Sequence, residues 1–563
     1  MSTFENTTIT NYLQNAKVAF VTDPNEEQKH FGILEIISKQ LSHSLIKHLI
    51  LYFNIDISGS MIDKCKDGNT KIHHAKATIT NLLTTLYNEF KYLKISVIIN
   101  GFESSIHKII DVNDLKEHDL DTDIISKISK LEPLASTNIE LALKTATQSL
   151  DTNTTEDLPS LVETKKTKVH ILITDGDSTE GIMDPDVLKT FMPKTVKNII
   201  LGIGENYNAN ALQIMSSGNL TIFKHINEAE TIGLYVAEII HSILYQTIAD
   251  LNITIENAEI YNFTTNQWTN TLNVNSIASE QTKTYHIRSS FIRDIQVNMD
   301  WTTNNIQHKH LISGYTFSDD VIKYKHRQDV LELLHSVLQF SKVKRDISKG
   351  EQFNRRKRQL LHDINFDAPE QSLDPFVIDI IKQIKAQEEK EKQEILDREN
   401  KQKEFKQSLK LLTLKLMCYM EENQLQKDLF YLRLCKDLTV AIDSIDKKNA
   451  DILINTRLDS QGRQETFTCD PDFEDDSKAS PNIYDYRQNE YQDIKEEYEN
   501  NEEDNEEDKK YKKMLLKLNI SSNNKNKNNL ASPYATFSQV QFMREVSSTP
   551  IDDDIDNDIN NDE

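Results

Sequence analysis

The sequence predicts an α/β protein built around a mainly parallel sheet with helices on both faces, followed by an antiparallel β-sandwich, a helical region and a disordered acidic C-terminus. Three observations lead there. Residues 47–250 alternate short apolar runs with amphipathic helical stretches, residues from about 250 switch to a period of two, and the chain from about 460 is polar and acidic. At 563 residues it is too long for one core, so two or three folded units are expected. Only 37% of the residues are apolar, which leaves part of the length unable to pack.

Taken in order, FGILEIIS (31–38) reads as a strand, and we expect this N-terminal segment, 1–44, to pair with the later sandwich. KHLILYFNI (48–55) is continuous Leu, Ile and Phe, the mark of a strand buried on both faces. Ile72, Ala75, Ile79, Leu82, Leu83 and Leu86 then share one face of a helix over 71–90. LKISVIING and SIHKIIDV form a strand pair around a Gly-Phe-Glu turn, with helical stretches at 121–130 and 138–150 after it. KVHILIT (168–174), VKNIILGIG (196–204) and TIFKHI (221–226) are further strands. Helices are expected near 185–195, 208–216 and 228–248. This unit is bounded at 45–248.

The sandwich is expected over 249–318, from LNITIENAEIY, WTNTLNVNSIAS, KTYHIRSS and RDIQVNMDW, which alternate polar and apolar residues between Asn, Thr and Ser turns. Helices dominate 319–455. The longest stretch, 376–435, carries Phe405, Leu409, Leu412 and Leu416, only about two heptads, so packing within the helical region is favoured over an extended coiled coil. The tail, 456–563, holds EEYENNEEDNEED and IDDDIDNDINNDE, whose burial cannot offset ordering entropy. One apolar island, 531–547, interrupts it and reads as a short docking segment.

Charge and cysteine content exclude several classes. A net charge of −24 argues against nucleic acid or anionic membrane as a general partner. Cys65, Cys418, Cys435 and Cys469 are far apart with no CxxC pair, so zinc ribbons and disulfide frameworks are unsupported. With no secretory leader pattern and no span of ~20 apolar residues, an intracellular, cytoplasmic setting is expected. The basic run Arg355–Arg358 is read as a solvated helix face.

The chemistry concentrates at strand ends. Asp56-Ile-Ser58-Gly-Ser60 follows the first buried strand, Asp175 follows 168–174, and Thr137 sits in the loop entering the helix at 138. Ligands of open α/β sheets bind beyond the carboxyl ends of the strands, so these residues can share one crevice. Two carboxylates and three hydroxyls form a hard, all-oxygen donor set that suits Mg²⁺, or Mn²⁺, better than Zn²⁺. His73 and His74, on the following helix, are read as surface residues, since no GxSxG elbow supports a nucleophilic serine. Asp177 is close enough to tune the site electrostatically, with a helix-capping or solvent-facing role as the other reading.

The DxSxS at 56–60, the threonine of STNIELAL and the aspartate of ITDGD resemble the metal-ion-dependent adhesion site (MIDAS) of von Willebrand factor A domains, over roughly 45–250. The resemblance implies a doubly wound sheet with one antiparallel edge strand. It also implies direct ligation by Ser58, Ser60 and Thr137, with Asp56 and Asp175 acting directly or through water. Intracellular proteins of this type pair the module with a β-sandwich and a helical region. The expected function is therefore metal-dependent binding of a protein partner that supplies a carboxylate, and not catalysis. The alternatives are an adaptor acting through its acidic tail, a metal-dependent hydrolase or a ubiquitin-ligase component.

Overall fold

The computed structural model describes residues 12–21, 30–65, 67–134, 136–151, 166–204, 207, 209–216, 220–226, 229–290, 292, 294–303, 306–359, 375–447, 449–465, 510–511 and 534–547. The acidic stretches at 496–508 and 551–563, Cys469, and the side chains of Arg355–Arg358 lie outside this set. Two compact units form: one from residues 1–325, 460–472 and 525–563, the other from 326–459 and 473–524.

Strands β1 (Leu13–Phe20) and β2 (His30–Ser38) come first, and then the chain enters the α/β layer at β3 (His48–Asp56). Helix α1 (Lys71–Glu89), β4 (Lys94–Phe102) and β5 (Ile106–Val112) follow. The 121–130 stretch is a wide π-type turn, Leu120–Ile125, running into the single turn α2 (Ser126–Ile128), and α3 (Ile139–Asp151) comes next. The layer is completed by β6 (Lys166–Thr174), α4 (Pro185–Thr190), β7 (Lys197–Ile203), α5 (Ala209–Met215), β8 (Thr221–Ile226) and α6 (Ile232–Leu244). The sheet order is β5-β4-β3-β6-β7-β8, parallel except for β5 at the edge. From β3 the chain winds one way to β4 and the other way to β6. The carboxyl ends of β3 and β6 therefore flank the switch point, where loops diverge and leave a crevice.

Both faces of β3 are buried, which explains its unbroken apolar run. Leu49, Leu51, Phe53 and Ile55 meet Ala75, Ile79, Leu82 and Leu86 of α1 and Val236 and Ile240 of α6. Ile50 and Tyr52 meet Ala146 and Leu150 of α3. Each large side chain buried this way stabilises by roughly 1.5–3 kcal/mol.

The predicted helix over 228–248 stops at Leu244, because β9 (Gln246–Glu256) has begun by Gln246. Tyr245 O accepts from Ser279 N and Gln246 pairs with Ala278, so the ladder with the sandwich outcompetes another helical turn. Beyond it lie β10 (Glu259–Asn262), β11 (Gln267–Thr269), β12 (Thr271–Ala278), β13 (Thr282–Ser289), β14 (Gln296–Thr303), β15 (Ile306–Ser313) and β16 (Thr316–Phe317). They form two sheets, β11-β10-β13-β2-β1-β16 and β12-β9-β14-β15. Here β2 lies between β1 and β13, paired antiparallel with both, so the sandwich takes strands from either side of the α/β layer in sequence. Its core includes Phe20, Leu34, Ile36, Ile253, Ile255, Val297, Met299 and Trp301.

The helical region comprises α7 (Ile322–Gln359), α8 (Pro375–Glu422), α9 (Leu429–Ser444) and α10 (Ala450–Arg463). The single stretch expected over 376–435 breaks after Glu422. Gln424 takes a left-handed φ of 60°, and Asp428 restarts the helix by accepting from the amides of Phe430 and Tyr431. Helix α10 continues to Arg463, past the expected start of the tail. Within this unit Arg457 pairs with Asp437 at 3.5 Å, both side chains almost fully buried. Arg457→Ala is expected to destabilise the helical unit by about 3–5 kcal/mol by removing a cationic partner of the buried Asp437 carboxylate, readable by urea unfolding. A last helix, α11 (Phe537–Val546), falls within the apolar island of the tail. No helix among the described residues is long and apolar enough to cross a membrane.

Candidate metal centre

The crevice at the ends of β3 and β6 gathers the predicted oxygens. Asp56 and Asp175 are fully buried, and Ser58 and Thr137 are 3% exposed. Ser60 Oγ donates to Asp175 Oδ1 at 2.7 Å and lies 3.1 Å from Ser58 Oγ. Asp56 accepts from the Ser58 amide at 2.9 Å and from Thr174 Oγ1 at 2.6 Å. Thr137 joins through Gly176: a Cβ on that glycine would stand 3.6 Å from Ser60 Oγ and 3.7 Å from Thr137 Oγ1, so both hydroxyls border one point. The threonine is held there by its amide donating to Thr179 Oγ1 and by its carbonyl accepting from the Thr179 amide, each at 2.9 Å. Ser58 and Ser60 do not cap α1. That role falls to Thr70, which accepts from His73 N.

Residues 51–235 match the sequence profile of the von Willebrand factor type A domain. The α/β layer is a von Willebrand factor type A domain. Inter alpha-trypsin inhibitor heavy chain 4 of Mus musculus is 26% identical over 198 residues, 34% of this chain, and the match spans only 19% of that protein's length. Among solved structures, the ArnB paralog VWA2 of Sulfolobus acidocaldarius matches at 14% identity with a TM-score of 0.41, covering 80% of this chain and 98% of its own. Proximal thread matrix protein 1 of the mussel byssus, solved with zinc in its MIDAS motif, matches at 19% identity and a TM-score of 0.25, over 35% of this chain and 45% of its own.

Electrostatics of the type A domain divide the two carboxylates. Among the described residues no cationic side chain is in ion-pair contact with Asp56, and burial pushes its carboxyl up to about 6 against the bonds from Thr174 and Ser58. Asp175 instead receives Lys71 Nζ on Oδ2 at 2.7 Å. The same ammonium donates to Asp63 at 3.1 Å and reaches Ser60 O at 3.4 Å. Burial alone would lower the Lys71 pKa, but the bond to and charge of Asp175 outweigh it and hold it above the usual value. The donor set fits a hard divalent cation: two carboxylates, one lacking a cationic partner among the described residues, bordered by neutral hydroxyls and with neither thiolate nor imidazole in the set.

Sequence reasoning missed the framework behind the site. Asn54, two residues before Asp56 on the same face of β3, donates to Ala142 O at 2.9 Å and lies 3.1 Å from His170 Nε2. His170 Nδ1 is 3.0 Å from Asn198 Oδ1, and Asn198 donates onward to Pro193 O and Val196 O. With Asn54 as donor, Nε2 must accept and Nδ1 must carry the proton, so the imidazole is neutral and its tautomer is set. Burial lowers its pKa to about 4. The chain of bonds ties α3, the helix after Thr137, to β3, β6 and β7. The only signal was a polar residue inside each apolar run. His74 also departs from expectation: it is buried, with Nε2 3.2 Å from Asp67, whereas His73 and Asp177 are exposed.

Proposed function

We propose that the type A domain is a binding module that holds Mg²⁺, or Mn²⁺, through Asp56, Ser58, Ser60, Thr137 and Asp175 and takes up an acidic side chain of a protein partner. Asp56 carries the reading: a fully buried carboxylate at a strand end, without a cationic partner among the described residues, beside hydroxyls that add oxygen donors but no charge. A bound ion would supply a coordination position for an anionic ligand. The chain's own groups then set its preference. With Lys71 on Asp175, one negative charge stays uncompensated, so a divalent ion leaves the centre net positive and receptive to a carboxylate. Thr174 and the Ser58 amide orient Asp56, and Thr137 is fixed by Thr179.

Type A domains commonly mediate metal-dependent protein–protein interaction, and we read this one as a binding module rather than a catalyst. Of the two histidines on α1, His74 is engaged with Asp67 and His73 is exposed, so neither is assigned the part of a general base. The intracellular setting expected from the sequence belongs to the same proposal.

Isothermal titration with Mg²⁺, Mn²⁺ and Zn²⁺ tests the metal, and recovery of partners from a cell extract in Mg²⁺ against EDTA tests the interaction. Recovery that survives both EDTA and Asp56→Ala would refute the carboxylate-bridge reading. Lys71→Met is expected to tighten Mg²⁺ roughly tenfold by removing a competing cation, while weakening retention of the acidic partner.

A further inference from the structure

We infer that the groove between α1 and α6 of the type A domain is a peptide-binding groove whose ligand is this chain's own segment 534–547, a tethered helix that docks and releases while the domain stays folded. The segment has the form of a ligand. Its buried residues, Gln539, Phe542, Met543 and Val546, fall at i, i+3, i+4 and i+7 on one face, whereas Phe537, Gln541 and Glu545 on the other face are exposed. It delimits itself with a capping box, Thr536 accepting from the Gln539 amide and Gln539 Oε1 accepting from the Thr536 amide.

The groove is shaped for that face. Phe542 lies over His241 and Phe90, with ring centroids 5.7 and 6.4 Å apart, and His241 stacks on Tyr245 at 4.6 Å. Met543 and Val546 are fully buried in the cluster that α1 and α6 share with the sheet. Gly233 of α6 lets the backbone through: a Cβ there would stand 3.0 Å from Val546 O and 3.1 Å from Ser547 Cα. Asn81 of α1 reaches the carbonyls of Val546 and Ser547, each at 3.4 Å, across the helix C-terminus. Ser538 donates to Glu280, and Tyr534 to Gln461.

Two features make docking reversible. An isolated helix of this length is marginal in water, so the segment must order as it binds. In the docked state both ring nitrogens of His241 are buried without a hydrogen bond among the described residues, a cost that release to water removes. The segment's covalent attachment offsets this weakness, since a ligand carried on the same chain binds intramolecularly and at a raised effective concentration.

The test uses the full chain and a fluorescent peptide of residues 531–550. Met543→Asp in the chain is expected to expel the tethered helix and open the groove, so that the peptide binds this variant at least roughly tenfold tighter than it binds the wild type. Adding Gly233→Val to the Met543→Asp chain is expected to abolish that gain, and a peptide carrying Met543→Asp should not bind either chain. Equal binding to the wild-type and Met543→Asp chains, or a gain that Gly233→Val leaves intact, overturns the inference. Hydrogen exchange on the unmodified chain decides independently of whether the variants fold. Amides of 537–546 exchanging well ahead of buried amides in α1 and α6 support release, and exchange in step with them refutes it.

Discussion

In excess Mg²⁺ the type A domain is expected to melt at a clearly higher temperature than in EDTA, and Asp56→Asn to melt at the same temperature in both. The wild-type domain holds the Asp56 carboxylate at zero exposure, hydrogen-bonded to the Ser58 amide and Thr174 and with no countercharge among the described residues, so a cation there relieves a cost already present in the fold. Linkage sets the scale: at a hundred times the dissociation constant, a ligand that binds only the folded state adds about 2.7 kcal/mol. For a domain of this size, that corresponds to a rise of roughly 5–10 °C. The Asn variant keeps the shape and loses the charge, so in EDTA it should match or exceed the wild type, and its indifference to Mg²⁺ separates metal binding from general salt effects. Differential scanning calorimetry, following the transition of the type A domain, measures both. A wild-type transition unmoved by Mg²⁺, Mn²⁺ or Zn²⁺ would remove the metal from the proposed function.

What was legible in the sequence followed from locality. β3, β6 and β7 announced themselves because strands buried on both faces have nowhere to put polar residues, and the site motifs lie directly at their ends. Features assembled from distant segments were hidden. β15 pairs only with β14 and exposes alternate positions of IQHKHLIS, so its pattern is too polar to read as a strand. The end of α6 was misplaced because Gln246 is claimed by a partner more than thirty residues on, at Ala278. The 531–547 island stood out by composition, but its seat is made by α1 and α6 together, which no single stretch of sequence displays. His74 looked like surface because its partner, Asp67, sits in the loop before the helix.

Asn54→Leu should show how far the site depends on what lies beneath it. The substitution removes the donor that serves both Ala142 O of α3 and His170 Nε2, leaves the buried ring nitrogen short of that donor, and is expected to cost about 1–3 kcal/mol. Mg²⁺ affinity should fall with it, because Asn54 anchors α3, and with it the Thr137 loop, to the strand that presents Asp56. Acid should act on the same network. His170 titrates near 4 in the fold against 6.5 when exposed. Its contribution is therefore complete above pH 6.5 and is lost as pH falls toward 4, by up to roughly 3 kcal/mol, as the unfolded chain takes up the proton first. Asp56 runs the opposite way: its raised carboxyl favours the fold at low pH and loses that advantage as pH rises through about 6. In EDTA the two slopes oppose each other between pH 4 and 6.5. Asp56→Asn is then expected to unmask the acid sensitivity of His170, as a steeper loss of stability on acidification than the wild type shows. An Asp56→Asn domain whose stability stays flat over that interval would mean that the buried histidine does not hold the site's framework in the way its bonds to Asn54 and Asn198 imply.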